Sequence, residues 1–599
     1  MVEKVFAFSV VWSLGASVDA ASRPLVDRCI RQIEPSFPPG HLVYDYFLNY
    51  EKQDWKLWED RLPSQYRPFE GTPFHKIIVP TVDVLRNGHV LSGLILHRRH
   101  ALCVGQTGTG KTSSILTTVM QELPESTHAT LIINFSAQTS SKKTQQIIEG
   151  KLEKRVKDKY GPPGNKRLAC FVDDLNLPRK DTFGSQPPLE LLRQLIDYGC
   201  WYDRGKQTVK YVQDTQILAA MGPPGGGRSV IPARLQSRFN LLNFTEPDEQ
   251  QVKRIFNALA IHKFSDFRED IKTNAENLAA ATISLFEQVR ERFLPKPDKP
   301  HYLFNMRDMS RVFQGIYQAE PHVYEDRDSI LRLWLHECMR VFHDRLASEE
   351  DRGELLHILD GVLDKTLQMG VKDICRAEKD LIFVALPFDS TPGAEASYDE
   401  VSDKQMLKTF LTAKLEEYNE RSLRGRMPVV LFKDAIEHCC RIFRILCLPN
   451  GHATLVGVGG SGRHSLTLFA CFLADQQCFQ IEVNRDYGHP EFQEDLKKLY
   501  NATGVDGKRT TFLLSDANIL SESFIEDVHN MLSSGEVSNL FTTDEFSAIS
   551  AELEKAAKAA GVNPSNRDAM HDFFLSRVRE NLHIVFCVRP IGQQLRDYC

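Results

Sequence analysis

Two stretches of this chain have residues spaced to hold phosphate. In "GQTGTGKTS", Gly105, Gln106, Thr107, Gly108, Thr109, Gly110, Lys111 and Thr112 satisfy the pattern G-x-x-x-x-G-K-[ST], with Ser113 next. Glycines let successive backbone N–H groups converge on phosphate oxygens, and a helix starting there adds positive potential. Lys111 is then placed for the β- and γ-phosphates of ATP, or the β-phosphate of ADP, and Thr112 for Mg²⁺. Downstream, "LACFVDDLN" is an apolar strand ending in Asp173, a second Mg²⁺ ligand, followed by Asp174 where a catalytic acid would polarise the attacking water. Aspartate is one methylene shorter than the usual glutamate, so hydrolysis is less certain geometrically than binding. Asn176 either helps orient that water or forms a turn.

The second stretch, "VGVGGSGRHS", keeps Gly457, Gly459, Gly460, Ser461 and Gly462 but carries Arg463 and His464 where the first loop has Lys111 and Thr112. A planar guanidinium does not replace the point charge of lysine. Ser465 lies one step, about 100°, further around the helix. "FLLSDAN" keeps Asp516 and puts Ala517 at the catalytic-acid position. Nucleotide binding without turnover is the expectation for this loop.

Each loop follows a short apolar run, "ALCV" or "ATLV", and precedes a helical pattern, the context a phosphate loop requires. Around the first, "ATLIINFSA", "RLACFVDDLNLP" and "TQILAAMG" read as strands, and "TQQIIEGKLEKRVKDKY" as a charged helix. Alternating strands and helices predict a parallel sheet covered on both faces. "TEPDEQQVKRIFNAL" reads as a helix N-capped by Thr245, opening a helical stretch to about residue 380. The expected domains are a helical end of a preceding module (1–68), an α/β domain (69–244), a helical lid (245–386), a Pro/Gly/Ser/Asp-rich linker (387–403), a helical lead-in (404–450) and a second, incomplete α/β domain (451–599).

The bulk numbers fit such an array. At about 150 residues per domain, 599 residues hold roughly three to five. A net charge of −6 without a basic block argues against nucleic acid as the main partner. Thirteen cysteines without a C-x-x-C pair read as reduced core residues. No run of about 18 apolar residues exists, so no membrane partner is expected. The opening "MVEKVFAFSVVWSLGASVDA" resembles a signal peptide, although an amphipathic or buried helix turning at Gly15 suits the continuing globular sequence better.

Longer motifs carry a family resemblance. "NFSAQTSSKKTQQIIEGKLEKR", "FVDDLNLPRKDTFGSQPPLELLRQLIDYGCWYDR", "AAMGPPGGGR" and "YLFNMRDMSRVFQGI" resemble the third AAA+ module of dynein heavy chains, particularly axonemal ones. "LVGVGGSGRHSL", "NRDYGHPEFQEDLKKLY" and "ESFIEDVHNMLSSGEVSNLF" are similar to the fourth, and the first 65 or so residues to the helical end of the second. The resemblance implies tandem AAA+ P-loop modules, each an α/β domain with a helical lid. It implies a segment of the six-module ring of a minus-end-directed microtubule motor, in which the third module is regulatory. It further implies partners among the other ring modules, the intermediate, light-intermediate and light chains, and microtubules indirectly, with a cytoplasmic, cytoskeletal or axonemal location. Without a first module, stalk or microtubule-binding domain, this chain alone is not expected to walk, and longer sequence is expected on both sides.

Individual residues follow from the same resemblance. Pro80 and Thr81 match the loop beside the adenine, and Arg307 matches the lid arginine that reaches the γ-phosphate, with a surface salt bridge as the alternative. Arg234 aligns with a family arginine; a second is Ser237 here, with Arg238 beside it, so either is an arginine-finger candidate or an exposed structural residue. Arg596 is the corresponding candidate in the second module. Gly222 stands where many AAA+ sites carry a sensor asparagine, and His464 departs from the family's usual glutamine. A scaffold that binds nucleotide without hydrolysing it is the competing reading, and a nucleic-acid remodeller a weaker one.

Overall fold

A computed structural model describes all residues except 64–65, 70, 118–122, 125, 226, 375–380, 388–396, 422–425, 534, 538–539 and 591–599. The chain divides into two compact units, Met1–His262 with Asn305–Arg307, and Lys263–Phe304 with Asp308–Cys599.

In the first unit, α1 (Val2–Ser13) and α2 (Arg23–Ile33) precede β1 (Tyr46–Asn49) and β2 (Asp54–Leu57), which pair antiparallel. The opening residues thus form a helix with one buried stripe, Ala7 and Val11 packing beside Ile30, Phe37 and Tyr44 while Phe6 is exposed. Besides these helices the segment holds a hairpin, which alternating aromatic residues favour, and Trp55 stacks on Phe37 at 4.0 Å. Next come α3 (Val82–Leu96), β3 (Ala101–Val104), α4 (Lys111–Thr117), β4 (His128–Asn134) and α5 (Ser141–Glu149). The helix expected over 144–160 stops at Gly150. Beyond it β5 (Glu153–Val156) and β6 (Lys159–Gly161) form a hairpin, although Leu152 and Val156 keep helical spacing from Ile148; Gly150 caps the helix first.

The chain continues through β7 (Arg167–Asp173), α6 (Pro187–Tyr198), β8 (Cys200–Tyr202), β9 (Val209–Val212), β10 (Thr215–Met221), α7 (Ala233–Gln236), β11 (Asn240–Asn243) and α8 (Glu249–Lys263). The central sheet has five strands, all parallel, in the order β11-β3-β10-β7-β4. Alternate strand residues bury on opposite faces. Leu102, Cys170 and Ile217 join Leu189 and Leu192 of α6, while Cys103, Phe171 and Leu218 join Leu91 and Ile95 of α3. Both faces are covered, and the strands accordingly read as continuous apolar runs.

Thr245 is not the cap of α8. Asp248 accepts the Gln251 N–H at 2.8 Å, and the Thr245 hydroxyl instead accepts from the buried Arg23 at 3.2 Å. The local pattern gave no sign of Arg23, which lies far away in sequence.

The second unit starts with helices: α9 (Glu269–Arg292), α10 (Met306–Ile316, its first two residues in the first unit), α11 (Arg327–Cys338), α12 (Glu349–Leu367) and α13 (Val371–Ile374). β12 (Phe383–Val384) pairs antiparallel with β13 (Asp399–Glu400), so part of the expected linker is strand, while its residues 388–396 lie outside the described set. Then follow α14 (Lys404–Arg421), α15 (Lys433–Cys447), β14 (Ala453–Val456), α16 (Arg463–Leu473), β15 (Gln477–Phe479), α17 (His489–Tyr500), β16 (Thr510–Ser515), α18 (Glu522–Ser533), α19 (Thr543–Ala559), α20 (Arg567–Asn581) and β17 (Leu582–Val588). Four parallel strands in the order β14-β17-β16-β15 form this unit's sheet. Among the described residues no disulfide forms, and no helix is long and apolar enough to cross a membrane.

Candidate functional site: two phosphate loops

At the end of β3, Gly105 donates its N–H to the Met221 carbonyl of β10 at 3.3 Å. A Cβ on Gly105 would collide with the Phe244 carbonyl, so only glycine fits. Gly108 and Gly110 have φ of 92° and 77°, which turn the loop into α4 at little steric cost. The Lys111 ammonium donates to the Gly105 and Gln106 carbonyls at 2.8 and 2.7 Å, which holds it inside the loop. Burial lowers its pKa, Asp173 and Asp174 oppose that shift, and Arg228 adds to it.

The Thr112 hydroxyl donates to Asp173 Oδ2 at 2.8 Å. Desolvation raises the Asp173 pKa and the Thr112 hydrogen bond opposes it. A hydroxyl and a carboxylate converging beside the loop lysine are the oxygen donors a Mg²⁺ ion takes. Asp174 sits at φ 51°, a region costly for most residues but open to aspartate, with its side chain 39% exposed. Asn176 does not reach that exposed position: it is fully buried and donates Nδ2–H to the Gly222 carbonyl at 2.8 Å. The expected water-orienting role is therefore corrected to a brace between the ends of β7 and β10. One residue escaped the sequence reading: Arg228, whose guanidinium approaches Asp174 at 3.9 Å. Its only sequence signal is the glycine run before it.

The second loop repeats the backbone and part of the side-chain bonding, since the Val458 carbonyl that Arg463 reaches is the counterpart of the Gln106 carbonyl that Lys111 reaches. Gly457 donates to the Val588 carbonyl at 3.1 Å, and Gly460 and Gly462 have φ of 80° and 81°. Arg463 donates to the Val588 carbonyl, and to the Val458 carbonyl at 3.3 Å. Asp516 accepts the Arg589 N–H and Nε–H, each at 3.1 Å. Gly459, Ser461 and His464 are exposed, and Ser465 is half-buried.

Register also shifts the acid. Val588 and Met221 are equivalent, each pairing with the residue before its loop's first glycine. Ser515 pairs with Cys587, whereas Val172 pairs with Ala219. Ser515 therefore stands at the level of Asp173 and Asp516 at that of Asp174. The expectation that Asp516 keeps the metal-ligand position, with Ala517 at the catalytic level, is corrected accordingly.

Family comparisons agree with this architecture. Residues 66–247 match the model for the P-loop containing dynein motor region, and residues 427–599 that for the P-loop containing dynein motor region D4. Residues 256–352 match the dynein heavy chain ATPase lid domain, and residues 1–60 the dynein heavy chain AAA lid domain. Over its whole length the chain is 45% identical to dynein axonemal heavy chain 2 of Homo sapiens. It is 43% identical to the dynein-1-beta heavy chain, flagellar inner arm I1 complex, of Chlamydomonas reinhardtii. The chain belongs to the dynein heavy-chain family. It spans 13% of the length of each of these two relatives.

The remaining residues carried over from dynein are placed as follows. Thr81 is buried and caps α3, its hydroxyl accepting the Val84 N–H at 3.3 Å, and Pro80 beside it is half-buried. Arg307 is exposed, and its neighbours Asn305 and Met306 lie against Gly108, within 3.7 Å of where its Cβ would stand. Arg234 pairs with Glu190 at 2.7 Å and Arg238 with Asp197 at 2.7 Å, both arginines more than half exposed on the face of α6. Arg596 lies outside the described residues. Gln106, Thr107 and Ser113 are exposed at the loop, and Thr109 closes it with a 2.9 Å bond to the Gln106 carbonyl.

Proposed function

We propose that this chain is a ring segment of an axonemal dynein heavy chain, contributing to ATP-driven, minus-end-directed movement along microtubules in a cilium or flagellum. Within it, the Lys111 module binds Mg-ATP and hydrolyses it slowly as a regulatory site, and the Arg463 module is degenerate. The observation that carries the reading is the Thr112–Asp173 hydrogen bond at 2.8 Å beside Lys111 and Asp174. In the Arg463 module, Ser515 stands at the level of Asp173, and Asp516 is engaged by Arg589.

Mg²⁺ held by Thr112 and Asp173 would supply charge neutralisation at the β- and γ-phosphates. Lys111 binds the same phosphates, and Asp174 orients the attacking water and accepts its proton. The left-handed backbone at Asp174 turns its short side chain outward, which supports water activation despite the missing methylene. Asp173, Asp174 and Thr112 are its metal and catalytic residues, with Arg307 as the lid cation and Arg234 and Arg238 as fingers toward a neighbouring module. The implied domains are 1–68, 69–244, 245–386, 404–450 and 451–599, with 387–403 between. The implied partners are the other ring modules and the intermediate, light-intermediate and light chains, with microtubules engaged indirectly.

A second reading, a nucleotide-gated scaffold without hydrolysis, draws on Gly222, which offers no side chain at the sensor position. Phosphate release by the complete heavy chain separates the two. Lys111→Ala should remove nucleotide from this site and alter motor turnover, and Asp174→Asn should alter turnover while leaving binding intact. If Asp174→Asn changes neither turnover nor its regulation, the hydrolytic reading is lost and the scaffold stands.

A further inference from the structure

The loop after β10 bends Arg228 back over the phosphate site. Gly225 and Gly227 have φ of 123° and 84°, and Gly225 and Arg228 exchange backbone hydrogen bonds of 3.0 and 3.1 Å. Ser229 N–H donates to the Asn176 carbonyl at 2.9 Å, which pins the far end of the loop to the turn after β7. The Arg228 side chain therefore fills the space above Gly222: a Cβ there would lie 2.8 Å from Nε and 3.0 Å from Cδ. Nε is buried without a hydrogen-bond partner among the described residues, and Nη2 reaches Asp174 only at 3.9 Å. A guanidinium carries five donors, so a loose pairing of this length leaves N–H groups to offer an anion beside Asp174 and Lys111.

We propose that Arg228 contacts the terminal phosphate of ATP within its own module, taking over from Gly222 the discrimination of ATP from ADP. The inference rests on the reading of Lys111 as a nucleotide site. Gly222 is required by it, since any side chain there would displace the guanidinium. The contact is charge-assisted and forms only with a γ-phosphate, so it adds to ATP affinity and leaves ADP affinity alone.

The test measures a fluorescent non-hydrolysable ATP analogue and fluorescent ADP on the complete heavy chain. The binding component abolished by Lys111→Ala defines the site. Arg228→Ala should weaken the ATP analogue at that component by about 10- to 100-fold and change ADP by less than about twofold. Arg228→Lys should recover part of the difference. Gly222→Ala, which pushes Arg228 aside without removing it, should give the same selective loss. Equal loss of both nucleotides, or no loss of either, overturns the proposal and leaves the nucleotide site standing. If Lys111→Ala abolishes no binding component, the site and the proposal fall together.

Discussion

At the Lys111 site a hydroxyl and a carboxylate meet beside the loop lysine, whereas at the Arg463 site Ser515 stands at the carboxylate's level and Asp516 is held by Arg589. Two predictions belong to single residues. Lys111→Ala should remove ATP from this site through loss of a charge-assisted contact to its phosphates, measured as nucleotide retained by the complete heavy chain. Gly105→Ala should cost about 1–3 kcal/mol through overlap with the Phe244 carbonyl, measured as a lower unfolding midpoint. That Lys111, Thr112 and Asp173 come together was legible from sequence, because a phosphate loop is local and the carboxylate beside it ends a recognisable strand. Asn176 and Arg228 were not, because both are fixed by Gly222, a residue whose neighbours only the folded loop reveals.

At the scale of elements, the two sheets share a joint that no motif announces. His100, just before β3, accepts the Ile217 N–H of β10 at 3.0 Å through Nδ1. His452, just before β14, accepts the Ile584 N–H of β17 at 3.1 Å in the same way. An Nδ1 that accepts must be unprotonated, and desolvation lowers both pKa values, that of His452 to about 4. Burial also lowers His583, which bonds the Gly451 carbonyl at 2.8 Å. Between these depressed values and the ordinary 6.5, the unfolded chain binds more protons than the folded one. The stability from these imidazoles is complete above pH ~6.5 and declines as pH falls toward about 4. Thermal melts at about pH 7.5 and pH 5.5 should show the lower midpoint at the acid value, and His100→Asn with His452→Asn should flatten the difference. Helices with an apolar stripe and the parallel strands were readable in advance. The β5–β6 hairpin and the Asp248 cap were not, since charged residues tolerate either structure and the competing Arg23 lies outside any local window.

Over the whole molecule, family motifs and periodicity made the order of modules legible, whereas the polar joints inside each unit depend on residues distant in sequence. The second unit has a marked example. Glu337 of α11 is fully buried and pairs with the buried Arg444 of α15, and Tyr398 donates to Glu337 at 2.7 Å. Gly315 of α10 leaves room for that carboxylate, which a Cβ would overlap. Arg444→Met alone should destabilise the chain by about 3–5 kcal/mol by stranding a buried carboxylate. Adding Glu337→Leu should recover most of that loss, a coupling that denaturant titration of the two single variants and the double variant would measure. The pair also has a mechanical consequence. A force drawing α11 from α15 must separate opposite charges in a medium of low dielectric, where their attraction is strong. Such a joint resists small loads and gives way once water enters and screens the charges, so below that point a pull on α11 is carried to α15.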